Sequence, residues 1–197
     1  KFSNAYSAAP VCAPSRYSIQ FGKSPARLSL IRVGMNSSHI NHEEILSIPK
    51  ALKSINKDYT TAHFGKWGIG SNPKLIGYDE SDGPTKNKDG GFTNDKHQWN
   101  FTVKKDPKKI FSITNKAVAF MKKNALKSTP FFMQLSHFAV HSSFQMKDST
   151  LKKYQSINKG KYQKSAGLAA MTEDLDDGLG IILQNLKNLE IEDNTYI

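Results

Sequence analysis

Apolar residues along this chain form two kinds of segment, short clusters of strand length and longer stretches spaced three and four apart, and the two kinds alternate. Residues 59–64 and 131–136 are runs of strand length, rich in β-branched and aromatic side chains. Helical spacing predicts a helix over 14–21 that stops near Gly22, and a second opened by Ser47-Ile48-Pro49 with Leu52 and Ile55 one turn apart. Asp106-Pro107 caps a third, whose Ile110, Ile113, Ala117, Phe120 and Met121 share one face. A basic loop over 147–164 leads to a long helix carrying Leu175, Leu179, Ile182, Leu183, Leu186 and Leu189. After the polar turn Glu192-Asp193-Asn194, Thr195-Tyr196-Ile197 reads as the start of another strand. The stretch 68–103, with six glycines among polar residues, reads as a loop, either an insertion at an active site or a surface excursion.

Helices alternating with short apolar strands predict an α/β fold, a largely parallel sheet flanked by helices. Ligands of such sheets sit at the carboxyl ends of the strands. Gly65-Lys66-Trp67 and the stretch 137–141 follow the two strands, so both should meet at one sheet edge. The length, 197 residues, fits one domain. The chain starts at Lys1 and stops on a strand just begun, so residues 1–197 are expected to be a partial domain, incomplete at both ends, and the lack of a leader at Lys1 carries no information.

Charge changes this picture little. Lys and Arg number 28 against 17 Asp and Glu, a formal charge of +11, but the lysine pairs are scattered over helix ends and loops without a nucleic-acid-binding motif. Solvated faces, with some attraction for an anionic substrate, are expected rather than a nucleic-acid partner. No apolar stretch reaches membrane-spanning length.

The single cysteine excludes an internal disulfide and lies in Cys12-Ala13-Pro14-Ser15-Arg16, where a helix begins. Pro14 suits the first helical position, because its missing N–H would lack a partner there. Cys12 is then at the positive end of a helix dipole, and Arg16 adds a permanent cation with a planar donor fork. An isolated thiol is more often inert and buried; this one stands in a setting built for an oxyanion.

Cys-x-Pro-Ser-Arg resembles the signature of type I sulfatases, members of the alkaline phosphatase superfamily, in which the cysteine is oxidised after translation to formylglycine. Phe2-Ser3-Asn4-Ala5-Tyr6 and Ala8-Ala9-Pro10-Val11 resemble the family's approach to that residue, Tyr59 to Trp67 its second signature, and Phe131 to His141 its third segment. Three motifs in order are far more specific than one. The resemblance implies an alkaline-phosphatase-like fold and hydrolysis of a sulfate ester, with Cys12 as nucleophile precursor, Arg16 holding the hydrated aldehyde, Lys66 on a sulfate oxygen, and His141 touching sulfate and protonating the leaving oxygen.

It also implies Ca²⁺, with Cys12 as formylglycine the one metal ligand in this chain. Expected partners are a sulfated small molecule or glycan and a maturation enzyme, in a periplasmic or extracellular setting. Rival readings are a phosphate or phosphonate monoester hydrolase of the same superfamily and a sulfatase-like binding protein without activity. The chain departs from the family at Gly68, where histidine is common, at Asp58, where glycine is usual, and at Gln20-Phe21, where an apolar residue and threonine are usual. His137 is expected to pack beside the site and His63 to lie in the core. Asp174, Asp176 and Asp177 are placed near the start of the long helix, where they would favour its dipole.

Overall fold

The computed structural model describes residues 3–98 and 100–197, with residue 98 in its backbone alone. Phe2, from the segment approaching the cysteine, and Trp99, from the predicted loop, lie outside the described residues.

The chain orders as α1 (Cys12–Phe21), α2 (Ile48–Ile55), β1 (Thr60–Gly65), β2 (Glu80–Ser81), β3 (Asn100–Thr102), α3 (Ile110–Ala125), β4 (Phe131–Ser136), β5 (Phe144–Met146), α4 (Asp148–Ser156) and α5 (Ala166–Asn188). β1 is the centre of a three-stranded parallel sheet in the order β2-β1-β4, and β3 pairs with β5 in a second parallel sheet. The α/β architecture with parallel strands is therefore present. Ala62 and Phe64 of β1 and Phe138 pack on Ile113 and Phe120 of α3, while Ala117 and Met121 on the far side of α3 meet Ile182 and Leu186 of α5. On the other sheet face, Tyr17 and Phe21 of α1 gather with Leu28, Leu30, Trp67, Ile76 and Tyr78.

Capping follows the sequence signals. The Ser47 hydroxyl accepts from Lys50 N–H at the start of α2, and Ser165 accepts from Leu168 N–H at the start of α5. Asp106 accepts from Phe111 N–H at 2.8 Å and Ser112 N–H at 3.2 Å, reaching past the short 3₁₀ turn Pro107–Lys109, so α3 begins at Ile110 rather than beside the proline.

Four expectations are corrected. The stretch 68–103 contains β2, β3 and three 3₁₀ turns, because its glycines punctuate short elements rather than one excursion. The basic loop 147–164 holds α4 in its first half. Thr195–Ile197 joins no strand; a 3₁₀ turn at Glu192–Asn194 precedes it, and Tyr196 and Ile197 are exposed. On α5 the buried stripe is Ala170, Met171, Asp174, Gly178, Ile182 and Leu186, leaving Leu179 and Leu183 on the exposed side at 41% and 46%. Gly178 decides that rotation: a Cβ there would stand 2.9 Å from both Ile110 Cγ2 and Thr114 Oγ1, so α3 and α5 meet over a residue with no side chain.

Asp174 is consequently in the third turn of α5, fully buried, and not a dipole partner at the helix start. Its oxygens accept from Lys147 N–H and the Thr150 hydroxyl, each at 2.8 Å, which ties the first turn of α4 to α5.

Candidate functional site

The carboxyl ends of β1 and β4 lie side by side, since Gly65 pairs with Ser136 in the register and Lys66 N–H donates to Ser136 O at 2.7 Å. Gly65 takes φ 95°, and a Cβ on it would fall 2.2 Å from Ser136 O; only glycine lets the chain turn here. Thr85 braces the turn from outside, accepting from Trp67 N–H at 2.9 Å and donating to Gly65 O. Trp67 is buried, its indole N–H on Ser71 O at 2.7 Å. Lys66 is thereby held pointing inward, only 4% exposed.

Cys12 is the first residue of α1, and Val11 before it provides no side-chain cap, so the helix's leading N–H groups are left for another acceptor. The helix starts two residues earlier than predicted. Pro14 is its third residue, still within the first turn, where a missing N–H costs no bond. Ser15 faces away, donating to Ala9 O at 2.7 Å and meeting Ser7 Oγ at 2.8 Å, which folds the approaching segment onto the helix. Arg16 donates to Lys66 O, and Tyr17 Oη accepts from Gly70 N–H at 2.8 Å, so consecutive side chains of α1 grip the turn that follows β1. Gln20, a departure from the family pattern, has a matching partner: its amide donates to Gln134 Oε1 at 2.8 Å, and Tyr78 Oη bonds both.

The structure thus brings together Cys12, Arg16 and Lys66. Burial lowers the Lys66 pKa, with Arg16 adding to the fall while Cys12, its hydrogen-bond partner, opposes it. Burial likewise lowers Arg16, and Cys12 again opposes. Neither cation forms an ion pair among the described residues. Asp82, a carboxylate at this edge, is engaged by Gly65 N–H and Lys116. Gly68 has φ 72°, and a Cβ on it would lie 3.1 Å from Lys66 Cε and 3.2 Å from Arg16 Cδ, so glycine in place of histidine lets the backbone pack closely against both side chains.

A residue the sequence reading passed over belongs with these. Lys108 is 1% exposed, and burial, with the neighbouring Lys66 charge second, pushes its pKa down to about 8. Nothing in the sequence separated Lys108-Lys109 from the other lysine pairs; the signal lies in the tertiary structure.

His141 follows β4 in the loop that closes on β5 and is tied elsewhere. Its Nδ1 faces Ser142 O, which can only accept, so Nδ1 carries a proton; Nε2 then accepts from Asn87 Nδ2 at 3.3 Å, and the ring stands edge-on to Phe92. No hydrogen bond joins it to Cys12, Arg16 or Lys66 among the described residues. His137 is half-buried, with Nε2 unpartnered among the described residues and its pKa lowered by burial. His63 is in the core as expected. Its Nε2 lies 3.1 Å from Ser136 Oγ, and burial, then Arg16, depress its pKa to about 4.

Among the described residues no three His, Cys, Asp or Glu side chains gather to hold a metal ion, and no helix is long and apolar enough to cross a membrane. Among the described residues the charged groups that act on Cys12 are the cations Arg16 and Lys66, which does not fit a divalent-metal shell. A surface cavity of about 500 Å³ lies along β2 and includes none of Cys12, Arg16, Lys66 or His141.

The family model described as Sulfatase matches residues 1–197. N-acetylgalactosamine-6-sulfatase of Mus musculus is 26% identical over 232 residues, covering 100% of this chain and 42% of that protein. The Ulvan-active sulfatase of Formosa agariphila is 25% identical over 224 residues, again 100% of this chain and 42% of its own length. The crystal structure of Ps i-CgsB superposes with a TM-score of 0.72 at 25% identity, over 98% of this chain and 48% of that one. The chain therefore spans under half the length of each.

Proposed function

The chain belongs to the sulfatase family, and we propose that the protein carrying it hydrolyses a sulfate ester, with water, to an alcohol and inorganic sulfate. The observation that supports this best is the meeting of Cys12, at an uncapped helix start, with Lys66 and Arg16 and no ion-paired carboxylate between them. An anion is the ligand such a cluster fits.

In this reading Cys12 is oxidised after translation to formylglycine by a maturation enzyme. When hydrated, that aldehyde supplies one hydroxyl to displace the alcohol from sulfur and a second whose deprotonation releases sulfate and restores the aldehyde. Arg16, anchored on Lys66 O, holds the nucleophilic end in place. Lys66 meets a sulfuryl oxygen and offsets the negative charge of the group being transferred; buried, it exerts more of its field than a solvated lysine. For His141, which has no hydrogen bond to that cluster among the described residues, the family resemblance implies protonation of the leaving oxygen, and Nε2 is the nitrogen for it since Nδ1 is committed to Ser142 O. Asn87 suits both states of that ring: its amide now donates to Nε2, and its buried, unpartnered Oδ1 becomes an acceptor for Nε2–H when the amide turns over.

Ca²⁺ belongs to the family resemblance, but the described residues offer it no carboxylate shell, so the chemistry assigned to this chain is carried by its own side chains. The named relatives support a sulfated glycan as substrate, and the formal charge of +11 would draw a polyanion. A setting outside the cytoplasm accompanies that substrate. In the test, the full-length protein is produced with the maturation system, the Cys12 peptide is weighed, and turnover of 4-nitrophenyl sulfate is compared with 4-nitrophenyl phosphate. Formylglycine and a preference for sulfate are expected. An active enzyme with an unmodified thiol, or one preferring phosphate, would overturn the reading.

A further inference from the structure

Lys108 is a lysine that folding has gone out of its way to bury. It sits in the 3₁₀ turn before α3 with φ 52° and ψ 22°, and Lys109 follows at φ 55°. Two successive left-handed residues, neither glycine nor asparagine, cost on the order of 1 kcal/mol or more each and persist only where surroundings over-determine them. Those surroundings are specific. Gln145 of β5, itself buried, accepts from Lys108 N–H at 2.9 Å, and its amide nitrogen occupies the place where Gly91 lacks a side chain, 2.0 Å from a notional Cβ. Asp106 on one side of the turn holds α3.

The ammonium at the end of this arrangement has no hydrogen-bond or ion-pair partner among the described residues, yet it is not among the polar atoms sealed from solvent. It opens within Coulombic reach of Lys66, a second buried lysine without a carboxylate. Like charges brought together out of water destabilise a fold unless a counter-charge arrives from elsewhere. A lysine burying its stem for packing would turn its head to bulk water; this one is 1% exposed and lies in the field of another cation.

Resting on the sulfatase reading, we propose that Lys108 is a further substrate-binding residue, its ammonium sharing with Lys66 the oxygens of the bound sulfuryl group. Gly68 brings no side chain to this pocket, so the second donor comes from the turn before α3.

The test uses the matured full-length protein with Lys108→Met, which keeps the stem and removes the charge, and Lys108→Arg. Three readouts are taken: kcat/KM on an aryl sulfate, the dissociation constant of inorganic sulfate by calorimetry, and the melting temperature without ligand. Lys108→Met is expected to weaken sulfate binding and lower kcat/KM by about tenfold or more each, while its melting temperature holds or rises; Lys108→Arg should recover part of both losses. Unchanged sulfate affinity in a folded Lys108→Met protein, or wild-type protein that binds no sulfate, would overturn the proposal. A lowered melting temperature with unchanged affinity would make Lys108 structural. Sulfate binding that depends on Lys108 in a protein without sulfatase turnover would keep the anion site and reject the sulfatase reading. Turnover indifferent to Lys108 would do the reverse.

Discussion

Asp174 and Lys66 are both charged and both buried, and they are buried in opposite ways. Asp174 has a donor for each oxygen, Lys147 N–H and Thr150 Oγ1, with the Lys147 ammonium 3.7 Å away. Lys66 lies with Arg16 and Lys108 in a group of one sign, and no carboxylate pairs with any of them among the described residues. A buried charge that the fold has answered serves the fold; one left unanswered stores a demand for a ligand. The first should fail by unfolding when cut, the second by losing activity.

Cys12→Ser is the most severe test of the second kind. A serine adduct has no second hydroxyl with which to release sulfate, so steady-state turnover should drop by about 10³-fold or more with an unchanged melting curve. Asp174→Ala should act the other way, lowering unfolding free energy by about 3–4 kcal/mol in denaturant titrations while kcat of the surviving folded enzyme holds. A loss of kcat without loss of stability there would dissolve the distinction.

His63 gives a pH-dependent version. Its imidazole titrates at about 4 when folded against 6.5 when unfolded, so below pH 6.5 the unfolded chain takes up a proton that the folded chain refuses. Stability is complete above pH 6.5 and is lost as pH falls toward 4, by about 3 kcal/mol in all. His63→Gln should flatten that acid limb, measured as the difference in unfolding free energy between pH 7 and 4.5. Lys66→Met and His141→Ala come last, each lowering turnover by about 10²-fold, or about 2.7 kcal/mol. Lys66→Met should melt no lower than wild type, since it removes a buried charge with no counter-ion. A Lys66→Met protein that is active but less stable would place Lys66 with Asp174.

The reading of the sequence reached as far as local signals extend. Gly22, Ser47 and Asp106 mark helix ends because caps act within a turn of where they sit, and the two apolar runs are β1 and β4 because burial on both faces of a parallel sheet leaves no polar alternation. Family resemblance, rather than periodicity, draws attention to Lys66, while Arg16 is marked by its place one turn into the helix that begins at Cys12. What escaped depends on distant partners. β2 has two residues and no apolar pattern, and exists because β1 offers it a ladder. The buried side of α5 is chosen by Gly178 against α3, which a count of leucines cannot reveal. Lys108 is set apart only by Gln145 and Lys66, both far from it in sequence.

Gln20 and Gln134, bonded across 114 positions, also order events in time. At a synthesis rate of 5–20 residues per second, the strand that closes over α1 leaves the ribosome on the order of ten seconds after the cysteine does. Until then Cys12 lies in an open chain, without Lys66 packed beside it for the first part of that interval. The interlock that finally fixes α1 against β4 is therefore also a clock, and any chemistry that needs the cysteine in an extended chain has only that interval.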